Sequence, residues 1–123
     1  MKKILIIILV LFCNNSFSID KSTTFTNEIF KKAQLEGKTI VINSWNKSCS
    51  TCSKQIKILD QAKKDFSNVV FLSYEQTNNK DISEFLKIHY WTTIVIYKDK
   101  KEKYRSMGVT KKSKIYSAIK NNI

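Results

Sequence analysis

The sequence predicts an α/β domain built on a mixed four-stranded sheet, with a C-terminal antiparallel hairpin and helices on both faces. Three observations lead there. Short β-branched runs at 39–42, 69–72 and 93–97 alternate with longer segments whose apolar residues return with a helical period. There is no proline, and the two glycines, Gly37 and Gly108, fall where a helix and a hairpin should stop. The alternating run 101–107 follows the last β-branched run across a polar turn at Asp99-Lys100, the pattern of a hairpin ending in an edge strand. Alternating β and α units imply parallel strands with right-handed crossovers, and the hairpin adds the antiparallel edge.

Each element has its own justification. A first helix over 26–36 turns Ile29, Phe30 and Ala33 to one face, with Thr26 as N-cap and Gly37 as stop. The run 39–45 is the central strand. A helix starting near Cys49 turns Cys52, Ile56, Leu59, Ala62 and Phe66 inward, leaves Lys54, Lys57, Lys63 and Lys64 to water, and ends near Ser67-Asn68. A buried strand over 69–72 and a polar loop over 75–79 follow. A short helix over 81–88 then points Ile82, Phe85 and Leu86 inward, capped by Asn79 or Asp81. After the hairpin, Gly108 breaks the chain and Thr110 caps a last helix with Ile115, Ala118 and Ile119 on its apolar face.

A length of 123 residues supports one core, and 42% hydrophobic residues exclude a disordered chain. Lys2-Lys3, an apolar run over 4–12 and small residues at Ser16 and Ser18 have the layout of a secretory signal peptide, expected to span 1–18 and leave 19–123 as the domain. The run is too short for a bilayer span, which needs about 20 residues. Cys13 as a lipidated cysteine is the alternative, weakened by the bulk of Phe12 before it. The net charge of +12 comes almost wholly from lysines spread along the chain, with Arg105 the one arginine. Sequence-reading nucleic-acid interfaces favour arginine on base edges, so this charge reads as a solvated surface able to steer acidic partners, and no nucleic acid is expected.

The chemistry concentrates in Ser44-Trp45-Asn46-Lys47-Ser48-Cys49-Ser50-Thr51-Cys52, where the central strand hands over to a helix. The first amides of a helix are unpaired and its N-terminus is positive, so a thiolate at Cys49 is favoured there, and Lys47 adds a second positive charge. Such surroundings lower a cysteine pKa from about 8.5 and make it a nucleophile. Cys52, one turn on, shares the helix face and can close a disulfide with Cys49. Two other readings stand beside this one. Zinc usually takes four ligands in a structural site, and only Cys13, His89 and scattered carboxylates remain to complete one. A purely structural disulfide closing so small a loop would remove little chain entropy. Export would place the pair where disulfides persist.

These residues resemble the thioredoxin family over about 24–123. The resemblance rests on the C-x-x-C after a strand bearing Trp45, the run Trp91-Thr92-Thr93-Ile94-Val95-Ile96-Tyr97-Lys98-Asp99, and Met107-Gly108-Val109 before the last helix. It implies a thioredoxin fold, with Cys49 as attacking thiol, Cys52 as resolving thiol, and Trp91 and Thr92 in the loop that meets substrate. It further implies an exported, monomeric thiol:disulfide oxidoreductase acting on cysteine-containing exported proteins, without a cofactor, exchanging electrons with a membrane-embedded redox partner. The reductive or isomerising direction is favoured, since no helical insertion and no histidine between the cysteines is present. Four positions depart from the family pattern. Ser48 stands where a tryptophan is usual, Ser50-Thr51 is an unusual dipeptide between the cysteines, Asn43 replaces a buried aspartate, and Thr92 replaces a cis-proline. A cis bond before a non-proline residue costs about 2.5–4 kcal/mol, so the Trp91–Thr92 bond is expected to be trans. Asn43 and Thr92 keep open a second class of function: a binding module with a vestigial dithiol, or a metal carrier using Cys49, Cys52 and His89.

Overall fold

The computed structural model describes residues 24–123; the expected signal peptide and Cys13 lie outside the described residues. Eight elements follow in the order α1 (Asn27–Leu35), β1 (Thr39–Trp45), α2 (Ser50–Asp65), β2 (Val69–Glu75), α3 (Lys80–Leu86), β3 (Thr93–Lys98), β4 (Lys101–Met107) and α4 (Lys112–Lys120). The strands form one mixed sheet in the order β2-β1-β3-β4, ending in the expected hairpin. β1 lies inside the sheet and is buried through Ser44, as a continuous apolar run covered on both faces should be. Its side chains alternate between two cores. Ile40 and Ile42 join Phe30, Ala33, Leu72 and Leu86 on the side of α1 and α3, while Val41 joins Leu59, Ala62, Ile94, Ile115 and Ile119 on the side of α2 and α4. Each such aliphatic side chain contributes about 1.5–3 kcal/mol when fully buried.

Direction differs from expectation in one strand. β1 and β2 are parallel, but β3 runs antiparallel to β1. The reason is the length of α3. Its seven residues span about 10 Å at 1.5 Å per residue, whereas the seven-residue β2 runs about 23 Å at roughly 3.3 Å per residue. The helix cannot carry the chain back along the sheet, so β3 starts from the end at which β2 stops. The C-terminus of β1 and the N-terminus of β3 thereby meet.

Helix ends show where local signals held and where tertiary contacts replaced them. Thr26 caps α1 by accepting the Ile29 amide (3.1 Å), and Gly37 (φ 67°) closes it while Lys38 N–H reaches Ala33 O (3.0 Å), a Schellman ending. α3 ends at Leu86, two residues early, because Lys87 adopts the left-handed conformation (φ 54°) that glycine usually supplies. The guanidinium of Arg105 on β4 donates to the freed carbonyls of Leu86 and Lys87, both at 2.9 Å, and pairs with Glu102. Asn79 occupies the cap position of α3, but its side chain donates to Glu75 O (2.7 Å) and makes no cap bond. Lys111, not Thr110, holds the N-cap position of α4, because the chain stays extended through Lys111, and it makes no side-chain cap bond. Phe85 is 53% exposed rather than inward, lying against the edges of Phe25 and Phe30. Ile56 and Phe66 are only half-buried, since Gln55 takes the inward slot of α2 beside Cys52, Leu59 and Ala62.

The link from α3 to β3 is pinned to β1. Ser44 Oγ donates to Tyr90 O (2.9 Å), Thr93 Oγ1 donates to the same carbonyl (2.7 Å), and Thr92 N–H donates to Ser44 O (3.1 Å). The Trp91–Thr92 bond is trans, as expected, and Thr92 itself sits at φ 64°. The Asp99-Lys100 turn places both residues at positive φ (53° and 63°), the mirror-image turn that suits a two-residue hairpin.

Two outcomes follow. A side chain in the left-handed region costs about 1–2 kcal/mol, and glycine returns about 0.5–1 kcal/mol of that through its freedom when unfolded. Thr92→Gly should therefore raise stability by roughly 0.5–1 kcal/mol, seen as a higher urea midpoint with unchanged slope; a lower midpoint would show that Thr92 is not strained. The second concerns α2 and α4, joined by the Tyr116 hydroxyl donating to Asp65 Oδ2 (2.6 Å). That bond holds the Asp65 carboxyl below its ordinary value, and desolvation together with Asp65 pushes Tyr116 up to about 12. The Asp65 contribution is present above the ordinary carboxylate value and lost as pH falls below it through the lowered folded-state value; the Tyr116 contribution is present below pH 10 and lost as pH rises from 10 to about 12. Asp65→Asn should return phenolate formation at Tyr116 towards pH 10, read by ultraviolet absorbance; an unmoved titration would exclude the pair as the cause.

Candidate active site

Where β1 ends, the chain turns once and enters α2. Asn46 shapes that turn. Its carbonyl accepts the Cys49 amide (3.2 Å), its Oδ1 accepts the Ser48 amide (2.9 Å), and its Nδ2 donates to Glu75 Oε1 (3.1 Å) and Thr77 Oγ1 (2.6 Å). The end of β1 is thereby stitched to the loop after β2. Desolvation works against the charge of Glu75, yet the amides of Asn78 and Thr77, the Thr77 hydroxyl and nearby Lys47 outweigh it and hold the carboxyl below its ordinary value.

Cys49 is the N-cap of α2, with extended backbone (φ −102°, ψ 104°), and its Sγ accepts the Cys52 amide at 3.1 Å. Sulfur thus does the work usually given to a serine or aspartate oxygen at this position. The donor to Cys49 is this backbone N–H. Cys49 and Cys52 form a disulfide with their Cα atoms 5.2 Å apart. The two sulfurs are unequal in access: Cys49 is half-buried, Cys52 is 1% exposed. An incoming sulfur can therefore reach Cys49 far more readily than Cys52, which sets an order of attack.

Cys49 opens onto a groove of about 810 Å³ that it shares with Thr51, His89, Trp91 and Thr92. Tyr90, Met107 and Gly108 complete the groove and had not been singled out as site residues from the sequence. Trp91 is 43% exposed, an apolar surface beside the dithiol, whereas Trp45 is half-buried at the end of β1. Lys47 and Ser48 on the turn and Ser50 at the start of α2 are exposed and do not line the groove. His89 does line it, yet among the described residues no group of three or more His, Cys, Asp or Glu is placed to hold a metal ion. Asn43 lies on β1 with its side chain on the α2 side, buried, and its Nδ2 has no partner. Asn43 is thus a neutral amide at the position where the resemblance to the thioredoxin family implies a buried, titrating carboxyl.

Gln55 is a further residue that sequence reasoning missed. It is fully buried one turn after Cys52, and its Nε2 donates to Thr92 O (2.9 Å) and Val109 O (3.0 Å). A polar residue on a stripe otherwise made of Cys52, Leu59 and Ala62 was the signal that could have found it.

Comparison with known proteins agrees with this geometry. The sequence profile of the thioredoxin family matches residues 17–121. A thioredoxin H-type from Fagopyrum esculentum is 32% identical over 85 residues, covering 69% of this chain and 73% of that protein. Among solved structures, the chain resembles Trxlp from Edwardsiella tarda (TM-score 0.74, 17% identity, 78% of this chain and 95% of that one). It also resembles thioredoxin from Fasciola hepatica (TM-score 0.70, 21% identity, 78% and 93%). With a cysteine pair at disulfide distance, one sulfur open to a groove and the other buried at the start of a helix, the chain belongs to the thioredoxin family and is a thiol:disulfide oxidoreductase.

Proposed function

We propose that the chain is an exported reductase of protein disulfides, in which Cys49 attacks and Cys52 resolves. The unequal access of the two sulfurs carries this reading. In the reduced protein the Cys49 thiolate, favoured by the α2 N-terminus and the Cys52 amide, attacks one sulfur of a substrate disulfide. A Cys49–substrate disulfide forms and the first substrate thiolate leaves. The Cys52 thiolate then attacks the Cys49 sulfur, the second substrate thiolate leaves, and two electrons have passed to the substrate. The Cys49–Cys52 disulfide is left to be reduced again by a membrane-embedded partner.

Trp91 and the Thr92 loop would bind the substrate chain, since both border the groove onto which Cys49 opens. Lys47, Ser48, Ser50 and Thr51 modulate the site from the turn and the first turn of α2, and Asn43 does so from the sheet beneath. A neutral Asn43 leaves deprotonation of Cys52 to another base, which predicts slower resolution than attack. Export rests on the signal-peptide layout of 1–18, and action as a monomer on extended exported chains rests on the open groove.

Three measurements test this. The reduction potential of the pair, equilibrated against glutathione or dithiothreitol, should lie nearer about −270 mV than about −120 mV; the latter would reverse the proposed direction. Cys52→Ser should trap mixed disulfides that are visible on non-reducing gels and cleared by dithiothreitol, while Cys49→Ser traps none and loses insulin reduction altogether. Trapping by Cys49→Ser instead would exchange the two roles. Mass spectrometry of the exported protein should find Ile19 as the first residue, and a product retained inside the cell with Met1 would remove export.

A further inference from the structure

We propose that Gln55 is a positioning residue for disulfide exchange, its carboxamide fastening both loops that flank the dithiol to the helix that carries Cys52. The inference rests on the oxidoreductase reading above and adds to it a residue outside the C-x-x-C. Gln55 is fully buried on the inward stripe of α2, one turn after Cys52. Both hydrogens of Nε2 are committed, one to Thr92 O before β3 (2.9 Å) and one to Val109 O after β4 (3.0 Å). The same two loops are joined to each other by Gly108 N–H donating to Thr92 O (3.1 Å), and Thr92 and Gly108 both line the groove with Cys49.

The orientation of the amide is settled by chemistry: two carbonyl acceptors require two N–H donors, which only the NH₂ end offers. The other end is left unserved, for Gln55 Oε1 is buried without a partner. An apolar side chain would avoid that penalty and would match Cys52, Leu59 and Ala62 on the same stripe. What the carboxamide supplies and an apolar side chain cannot is the link to the two carbonyls. Loop, loop and helix then move as one body, and a polypeptide lying in the groove meets Thr92 and Gly108 at a fixed distance from the Cys49 sulfur. A small disulfide that touches only Cys49 does not use the loops.

That difference gives the test. Gln55→Met is nearly isosteric and keeps the burial but removes both donors; Gln55→Leu serves as a second variant. In either, KM for insulin should rise about tenfold, as for one or two lost neutral hydrogen bonds. By the same argument kcat, and the rate with a small aromatic disulfide, should stay within about twofold. Amide hydrogen exchange read by NMR in the oxidised protein should be faster at Gly108 and Thr92, independently of turnover. An unchanged KM, an equal fall with protein and small disulfides, or unchanged exchange at both amides would each overturn the assignment. If the wild-type protein itself fails to reduce insulin, the reductase reading fails, and the exchange rates still decide whether Gln55 fastens the loops.

Discussion

The hydrogen bond from the Cys52 amide to the Cys49 sulfur lies at the junction of strand and helix, and it holds only if the strand end, the turn and the first turn of α2 keep their places. β1 sets the first of these. Buried through Ser44 between two cores, it cannot slip by one residue without turning Ile40 and Ile42 out of the core beside α1 and α3 and putting Val41 and the polar Asn43 in their stead. Asn46 sets the second by bonding forwards to Ser48 and Cys49 and sideways to Glu75 and Thr77. The third follows from helix geometry, with sulfur as the cap. The dithiol is thus placed by packing at one end and by a small polar network at the other.

Much of this was legible because it is local. A β-branched run, a cap residue followed by a helical period, a glycine after the last turn and two cysteines three apart each carry their meaning within a few residues. What was not legible depends on residues far apart in the chain. The reversal of β3 follows from the length of α3 measured against the sheet. The end of α3 depends on Arg105, which reaches from β4 to two carbonyls that no neighbouring residue satisfies. Gln55 looked like one more polar residue on a lysine-rich helix, because helical periodicity resolves a stripe to within one position and Ile56 stood beside it. Phe85 read as inward by type, yet on a helix of seven residues the apolar face is too short to bury all of it.

The departures from the family pattern form a consistent set. Threonine in place of the ring leaves a trans bond and a left-handed residue, and the loop is held by hydrogen bonds: Thr92 N–H to Ser44, Thr92 O from Gln55 and Gly108. Asparagine in place of the buried acid removes a charge from the layer under α2, where Gln55 adds a second neutral amide. The first change replaces a rigid ring with neutral hydrogen bonding; the second replaces a charge with a buried amide whose Nδ2 has no partner.

The sheet also has two edges, and the chain treats them differently. On β2, the segment entering α1 continues the pairing, with a bridge from Thr24 to Ser73 and the Phe25 amide donating to Ser73 O (2.9 Å). On β4 no described strand pairs with the outer side, and Lys101, Glu102, Lys103 and Arg105 are all exposed on this strand. An uncovered strand is a template on which another chain can add by main-chain pairing, and charged side chains, lysine above all, discourage that addition. Thiol–disulfide exchange is thus confined to the end of the sheet where Cys49 opens onto its groove, while the charged flank is guarded against strand-by-strand association.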